Sequence, residues 1–188
     1  MLKTLKNMTL IIIIIVVALL VLWVISVQNK LVKMDEICNN ALKQINVQQM
    51  SRYDALKAIV KLTREYASYE GEQIEKMMEA RRITASSNPT AAEINANEQA
   101  LTQIAARLMA VAEQYPELKA NANYQQSLAD IKTYEENVRL SRMTFNDTIT
   151  RFNQTVRAFP ASLIAGMLGF SKRDYLADDP SKAEYPDI

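Results

Sequence analysis

The feature that most constrains this chain is an uninterrupted apolar segment near its beginning. Residues 8–27 read MTLIIIIIVVALLVLWVISV and contain no charged side chain. An α-helix of about 20 residues extends about 30 Å, which is the thickness of the hydrocarbon core of a bilayer. Lys3 and Lys6 precede the segment, and Lys30 and Lys33 follow it. The segment therefore has the length and the polar flanks of a transmembrane helix.

A cleaved signal peptide is the alternative for a basic flank followed by an apolar block. Signal-peptide cores run to about 7–15 residues and end in a small-x-small cleavage site. This block is longer, and its end from Trp23 to Gln28 has no such pattern. The sequence therefore predicts a signal anchor over residues 8–27, with the lipid bilayer as its partner, behind a short flank of residues 1–7. Basic residues are balanced on the two sides, so the positive-inside rule does not orient the chain.

The composition excludes most catalytic chemistry. Among 188 residues there is no histidine, one cysteine and three glycines. The chain thus lacks the parts of a Ser-His-Asp or Cys-His relay, of a thiolate zinc or di-iron centre, and of a glycine-rich phosphate loop. A net charge of +1 gives no bulk electrostatic reason to bind nucleic acid. We expect no enzyme activity, no cofactor, no metal and no nucleic-acid partner.

Beyond residue 28 the apolar residues recur with helical spacing. One stripe covers residues 31–45 and a second covers residues 56–78. The hydrophobic phase shifts around Gln48 and Gln49, which predicts a turn or kink near residues 46–51.

A third stripe, over residues 94–111, is bounded by local signals. Thr90 followed by Glu93 resembles a capping box at its beginning. Tyr115 and Pro116 stop the pattern at its end.

The last stripe is the most regular, because its members alternate steps of four and three residues. This heptad pattern is typical of left-handed helix packing, as in coiled coils, and predicts a helix over residues 121–158. The seam comprises Tyr124, Leu128, Ile131, Glu135, Val138, Arg142, Phe145, Ile149, Phe152, Val156 and Phe159.

Amphipathic helices must bury their apolar stripes against one another. Short connections near Asn88 and over residues 116–121 make sequential helices antiparallel neighbours. The sequence therefore predicts an all-α chain. The transmembrane helix is followed, over residues 28–170, by a long antiparallel bundle of four helices, or of three if the first is unbroken. A flexible polar tail is expected over residues 171–188, where Pro180 and Pro186 occur without periodicity.

Polar residues on these stripes are the candidate site. Glu135 and Arg142 occupy seam positions, where a buried charge without a partner is costly. The candidates to pair with them are Arg52, Asp54 and Glu70, on an earlier helix. Two interpretations stay open: a buried network that sets the register of the helices, or a polar groove that binds a ligand or peptide. The candidate residues are Arg52, Asp54, Glu70, Glu135, Arg142, Asn146, Asp147 and Asn153.

A short apolar segment, SLIAGMLGF over residues 162–170, follows the last helix. It either caps the bundle or forms an exposed patch for a partner or the membrane surface. The candidate partner patch comprises Leu163, Ile164, Met167, Leu168 and Phe170. Cys38 lies on an apolar stripe and is predicted to be a small buried side chain.

Three blocks of the sequence resemble the bacterial LemA family. Residues 113–121, EQYPELKAN, resemble its EAYPDLKAN block. Residues 142–170 follow its R-x-x-Y-N-D … Y-N … F-P … A … G-F run, and residues 48–70 follow its Q-x-x-R-R-Y-D … V … Y-A-x-H-E segment. The departures include Ser51 at an arginine, Tyr69 at a histidine, and Phe145 and Phe152 at the two tyrosines.

The resemblance implies a single-pass protein of the bacterial inner membrane with a helical domain. The family's short amino terminus is usually predicted to lie outside, which implies a cytoplasmic domain. It implies no defined activity. We therefore expect a membrane-anchored scaffold or adaptor that binds a protein partner or associates with itself; the alternative is a ligand-sensing bundle at the cell envelope.

Overall fold

The computed structural model describes residues 2–81 and 88–176 of the chain. These residues form helices joined by short connections, with no strand among them, which confirms the predicted all-α fold. The helices are α1 (Leu2–Tyr66), α2 (Ser68–Arg81), α3 (Ala91–Gln114), α4 (Pro116–Ala120), α5 (Ala122–Arg157) and α6 (Ala161–Met167).

Helix α1 is 65 residues long and contains the apolar segment near its beginning. Among the described residues it is the one helix long and apolar enough to cross a membrane. The helix continues through residues 46–51, so the predicted turn there is wrong. Asn46, Gln49 and Arg52 are all buried, which explains the apparent phase shift. They lie on the same inward face of α1 as Ile45 and Leu56. The side chains on this face therefore change from apolar to polar while the helix itself continues.

The break in the helix lies instead at Ala67, between α1 and α2. A Cβ atom on Gly71 would lie 2.5 Å from Cγ and 2.9 Å from Cα of Arg64. Residues seven apart in a straight helix are separated by about 10 Å, so the chain reverses direction here. A salt bridge of 2.6 Å between Arg64 and Glu75 closes the same reversal. The stripe over residues 56–78 thus belongs to two helices and not to one.

The beginning of α3 carries the predicted capping box. The hydroxyl of Thr90 accepts a hydrogen bond from the Glu93 N–H at 3.2 Å, and the Glu93 carboxylate accepts one from the Thr90 N–H at 2.7 Å. These two bonds satisfy amide donors that a helix beginning leaves unpaired, and they confirm the prediction. The segment just before this cap, residues 82–87, lies outside the described residues.

Local signals also set the connection between α3 and α5. Helix α3 ends at Gln114, and Pro116 occupies the first position of the short helix α4, where its missing N–H costs nothing. Asn121 then caps α5, since its Oδ1 accepts hydrogen bonds from the N–H groups of Asn123 and Tyr124 at 2.9 and 3.2 Å. Helix α5 ends at Arg157, close to the predicted end.

The chain divides into two compact units. Unit 1 comprises residues 1–38 and 148–173, and unit 2 comprises residues 39–147 and 174–188.

In unit 2, α5 runs antiparallel to α1. Asn121 at the beginning of α5 donates to the hydroxyl of Tyr66 at the end of α1, at 3.0 Å, whereas Glu135, further along α5, bonds to Arg52, further back on α1. The core of this unit is drawn from α1 to α5. Its fully buried members include Leu56, Ile59, Ile74, Leu101, Ile104, Leu108, Leu118, Tyr124 and Ile131.

In unit 1, the helices α1, α5 and α6 each contribute buried side chains. Leu31, Cys38, Phe152, Val156 and Ala165 are all buried. Cys38 is thus buried, as predicted.

The heptad seam of α5 faces inward along the helix. Each of its eleven predicted positions is buried or half-buried, with the exception of Phe159, which lies beyond the end of α5 and is 82% exposed.

Candidate functional site: a polar layer and two asparagine clamps

Arg52 is the centre of a polar layer in unit 2. Its side chain has no exposed surface, and it projects from α1 into the bundle. Nη1 donates to the Glu98 carboxylate of α3 at 2.9 Å, and Nη2 donates to the Glu135 carboxylate of α5. One guanidinium therefore joins three helices through charge-assisted hydrogen bonds. The two carboxylates retain partial contact with solvent.

Gln49 extends this layer by one turn of α1. Its Nε2 donates to the Ile94 carbonyl at 2.9 Å and to the Glu98 carboxylate at 3.1 Å. Gln49 Oε1 and Arg52 Nε are buried and have no hydrogen-bond partner among the described residues. A buried acceptor or donor left unsatisfied costs about 1–3 kcal/mol.

Arg142 lies two turns along α5 from Glu135 and also contacts α3. Its Nη2 donates to Asn95 Oδ1 at 3.1 Å. Asn95 lies one turn before Glu98 on α3, so Arg52 and Arg142 both bond to the same side of that helix.

The predicted candidates do not all lie in this layer. Arg52 and Glu135 are joined, and Arg142 bonds to α3 nearby. Asp54 and Asp147 are exposed, and so they do not belong to a buried network. Glu70 is half-buried and hydrogen-bonded to Tyr115. The pKa of the Tyr115 hydroxyl is raised, chiefly because the tyrosine is partly buried and secondly because the negative charge of Glu70 lies beside it.

Sequence reasoning missed three members of the layer. They are Gln49, Asn95 and Glu98. The available signal was helical spacing: Gln49 lies three residues before Arg52, and Glu98 lies four residues after Ile94 on the inward face of α3.

Asn153 performs a different task in unit 1. Its Oδ1 accepts a hydrogen bond from the main-chain N–H of Arg173 at 2.9 Å, and its Nδ2 donates to the carbonyl of the same residue at 2.9 Å. A single carboxamide thus satisfies both main-chain groups of one residue, as a neighbouring strand would. We call this arrangement an asparagine clamp.

Asn146 forms a second clamp in unit 2. It accepts from the N–H of Leu176 at 3.0 Å and donates to the carbonyl of Leu176 at 3.2 Å. Leu176 itself is buried. Residues 171–176, predicted as part of a flexible tail, are therefore held in place by side chains of α5. The remainder of that predicted tail, residues 177–188, lies outside the described residues.

The side chain of Arg173 completes a small cluster in unit 1. It forms a salt bridge with Asp35 at 2.7 Å and lies over the Phe152 ring at 5.7 Å. The Phe170 ring meets the edge of Phe152 with centroids 6.5 Å apart. Close by, burial raises the pKa of the Cys38 thiol, and the positive charge of Arg173 opposes part of that rise. Such contacts hold the segment after α6 against α1 and α5.

The candidate partner patch on α6 is partly exposed. Leu163, Met167 and Leu168 face solvent, whereas Ile164 and Phe170 are half-buried. Phe159, which was not part of the predicted patch, is exposed just before α6.

The polar side chains of the layer and of the two clamps are bonded to one another or to the main chain. Within residues 2–81 and 88–176, no group of three or more His, Cys, Asp or Glu residues is placed to hold a metal ion. The carboxylates of the polar layer are bonded to Arg52, and each clamp bonds to main chain. These contacts join helices and hold an extended segment in place.

Residues 41–188 match the family model of the LemA family. The chain belongs to the LemA family. The match covers both the polar layer and the two clamps, and it begins after the apolar segment. It confirms the resemblance found in the sequence.

Three curated relatives share a shorter region with this chain. They are magnetosome proteins MamQ 1 and MamQ 2 of Paramagnetospirillum magneticum and magnetosome protein MamQ of Magnetospirillum gryphiswaldense. Each is 27% identical over 75 residues, which are 40% of this chain and 28% of the relative. The match thus spans little more than a quarter of the length of these relatives. Together with the apolar helix, the family match supports a membrane-associated protein.

Proposed function

We propose that this LemA-family chain is a non-catalytic scaffold or adaptor, anchored in the bacterial inner membrane by residues 8–27, whose bundle binds a protein partner in the cytoplasm. The observation that carries this proposal is the continuity of α1, which is one helix from Leu2 to Tyr66. The same helix supplies the apolar segment and, through Arg52, Leu56 and Ile59, part of the bundle core. Anchoring confines such a domain to the membrane surface and raises its effective concentration near membrane partners.

The use of the charged groups supports a non-catalytic role. Arg52 donates to the carboxylates of both Glu98 and Glu135 and so joins α1, α3 and α5. A hydrolytic site needs a nucleophile or general base free to meet a substrate, and these groups are engaged with one another. The relatives are named for the magnetosome, and none of the three names states an enzyme activity.

Exposed apolar side chains of α5 in unit 2 are the surface that we assign to the partner. Leu140 and Met143 are both about half exposed, and they lie three residues apart on one face of the helix. Photo-cross-linking amino acids at these positions in native membranes should capture a partner protein. Lys132, an exposed polar position on α5, is the matched control. Capture of a second copy would show self-association; adducts at the control position alone would overturn the assignment.

Sidedness requires a separate experiment. In a Cys38→Ser background, the exposed Ser68 is replaced by cysteine and cells are treated with a membrane-impermeant maleimide. Labelling that appears after lysis and not in intact cells supports a cytoplasmic bundle. Labelling in intact cells with a permeabilised outer membrane would place the bundle outside and contradict the proposal.

One observation favours a second function, a ligand-sensing bundle. Gln49 Oε1 and Arg52 Nε are an acceptor and a donor, buried without partners one turn apart on α1. A small molecule that offers both a donor and an acceptor would satisfy them. A rise in melting temperature with such a molecule, abolished by Gln49→Leu, would support this function over the scaffold.

A further inference from the structure

We propose that unit 1 ends in a lipid-binding surface, formed by Phe159 and α6, which lies in the interfacial region of the bilayer that α1 spans. Exposed basic side chains around this surface contact anionic headgroups. The inference rests on the proposed membrane anchoring, and it identifies the occupant of the exposed α6 patch as lipid and not as a protein.

The first observation is an unusual density of exposed apolar side chains. Four large ones occur within ten residues, and two of them are more than 80% exposed. They are Phe159 at 82%, Leu163 at 61%, Met167 at 84% and Leu168 at 42%. Aromatic and aliphatic side chains grouped in this way on a short helix are typical of segments that rest in a membrane interface.

The second observation places the end of α5 close to the apolar segment. The Thr155 hydroxyl lies 3.5 Å from the sulfur of Met34 in α1. Met34 follows Val27, the last residue of the apolar segment, by seven positions, or about 10 Å along the helix axis. Helix α5 ends two residues after Thr155, at Arg157, so Phe159 and α6 follow directly from this level.

The third observation concerns which part of α1 is covered by the rest of unit 1. Side chains from residue 8 to residue 22 of α1 are all exposed, whereas Trp23, Val24 and Val27 are half-buried and Leu31 is fully buried. An isolated helix cannot bury a leucine completely, so another part of unit 1 covers this face. The other part of unit 1 is residues 148–173. These residues therefore reach the last turn of the apolar segment, which is the depth of the lipid headgroups.

The fourth observation is charge. The parts of unit 1 that follow the apolar segment in the chain, residues 28–38 and 148–173, carry two acidic side chains, Asp35 and Glu36, and Asp35 is bonded to Arg173. The same residues include six basic side chains: Lys30, Lys33, Arg151, Arg157, Lys172 and Arg173. Basic residues next to a membrane span are attracted by anionic headgroups. An exposed apolar face in a unit with an excess of positive charge matches an anionic bilayer surface.

Tryptophan fluorescence tests the proposal, because Trp23 is the single tryptophan of the chain. One variant combines Trp23→Phe with Leu163→Trp, which replaces an exposed side chain of α6. The matched control combines Trp23→Phe with Gln44→Trp, an exposed position of α1 about 25 Å beyond Val27 along the helix axis. All three proteins, including the wild type, are placed in vesicles of phosphatidylcholine and phosphatidylglycerol, with or without brominated acyl chains. Circular dichroism verifies equal helicity.

The proposal expects brominated lipid to quench Trp23 and the Leu163→Trp reporter strongly. The Gln44→Trp reporter should be quenched about tenfold less, because quenching requires contact with the acyl chains. Quenching of Leu163→Trp should decrease when phosphatidylglycerol is omitted, and should decrease similarly when Lys30, Lys33, Arg157 and Lys172 are all replaced by Gln.

Other outcomes distinguish a failure of the lipid-binding inference from a failure of the membrane anchoring. If Trp23 is quenched but Leu163→Trp behaves like the control, α6 does not meet lipid and this inference is overturned while the anchoring stands. If Trp23 is not quenched either, the anchoring itself is wrong. Quenching of Leu163→Trp that does not depend on phosphatidylglycerol or on the basic side chains would overturn the role of the headgroup charge.

Discussion

Arg52 of α1 donates to Glu98 of α3 at 2.9 Å while its own side chain has no contact with solvent. The second bond of its guanidinium, to Glu135, adds α5 to the same layer. Removing this cation leaves two neighbouring carboxylates without a counter-charge. We expect Arg52→Met to lower the free energy of unfolding by about 3 kcal/mol, the lower end for a broken buried pair because both carboxylates are partly exposed. Guanidinium titration of the detergent-solubilised chain, followed by circular dichroism, measures it.

Two further variants establish that the loss comes from charge. Arg107→Met, at an exposed position of α3, should stay within about 0.5 kcal/mol of the wild type. Combining Arg52→Met with Glu98→Gln and Glu135→Gln should recover most of the lost stability, since no uncompensated charge remains. If the triple variant is as unstable as the single one, packing of the arginine stem and not charge dominates this site.

Gly71 is expected to tolerate no side chain. An added Cβ atom would meet Arg64 Cα and N at 2.9 Å, and backbone atoms cannot move aside as a flexible side chain can. Gly71→Ala should therefore lower the melting temperature clearly. Gly166→Ala in α6 is the matched control, because nothing lies within 4 Å of its added Cβ and alanine favours a helix. Equal melting temperatures for the two variants would show that the chain reverses less tightly than the structure indicates.

The clamp at Asn153 should protect the chain from proteolysis after Lys172 and Arg173. Asn153→Leu removes both hydrogen bonds to the main chain of Arg173, so local opening of this segment becomes more frequent. Trypsin should cleave there several-fold faster than in the wild type, as mass spectrometry of the fragments would show. The neighbouring exposed residue supplies the control, Gln154→Leu, whose cleavage rate should match the wild type. Equal rates for the two variants would argue that the clamp does not hold the segment.

The pH dependence of stability should contain a contribution from Cys38. Burial raises the pKa of this thiol in the folded chain, although Arg173 partly opposes the rise. The unfolded thiol, with a pKa of about 8.5, thus ionises at a lower pH than the folded one. Cys38 stabilises the fold fully below that pH, and the contribution decreases as the pH rises above it.

Comparing the wild type with Cys38→Ser isolates this effect. Between about pH 7 and pH 10 the wild type should lose more stability than the variant, because titration of every other group is common to both. Parallel curves would contradict a contribution from the buried thiol. Alkylation by iodoacetamide gives a second measurement, since the native thiol should react far more slowly than the denatured one.

The two polar groups on α5 show how far sequence reasoning reached. The heptad pattern placed Glu135 and Arg142 on the inward face, and both lie there. One expected pairing is confirmed, because Glu135 bonds to Arg52, 83 positions away. Arg142 bonds instead to Asn95, 47 positions away, which was not among the expected partners. Periodicity identifies which face of a helix is buried, but it does not state which turn of another helix will lie opposite.

The same limit explains the wrong break near residues 46–51. A run of polar residues, including Gln49 and Arg52, looks like the end of an amphipathic face when helix neighbours are unknown. In the structure both side chains are buried because α3 and α5 supply partners for them. The real reversal at Ala67 depends on how closely Gly71 approaches Arg64, a contact that no single-helix pattern encodes.

The sequence by itself determined the features that depend on residues a few positions apart. These are the apolar helix over residues 8–27, the all-α class, the capping box of Thr90 and Glu93, and the helix end before Pro116. Each follows from side-chain spacing or from a local hydrogen bond. The tertiary structure decided the continuity of α1, the bond from Arg52 to Glu98, and the binding of Arg173 and Leu176 by the two clamps. Those depend on side chains brought together from distant parts of the chain, where packing and satisfaction of buried polar groups outweigh local pattern.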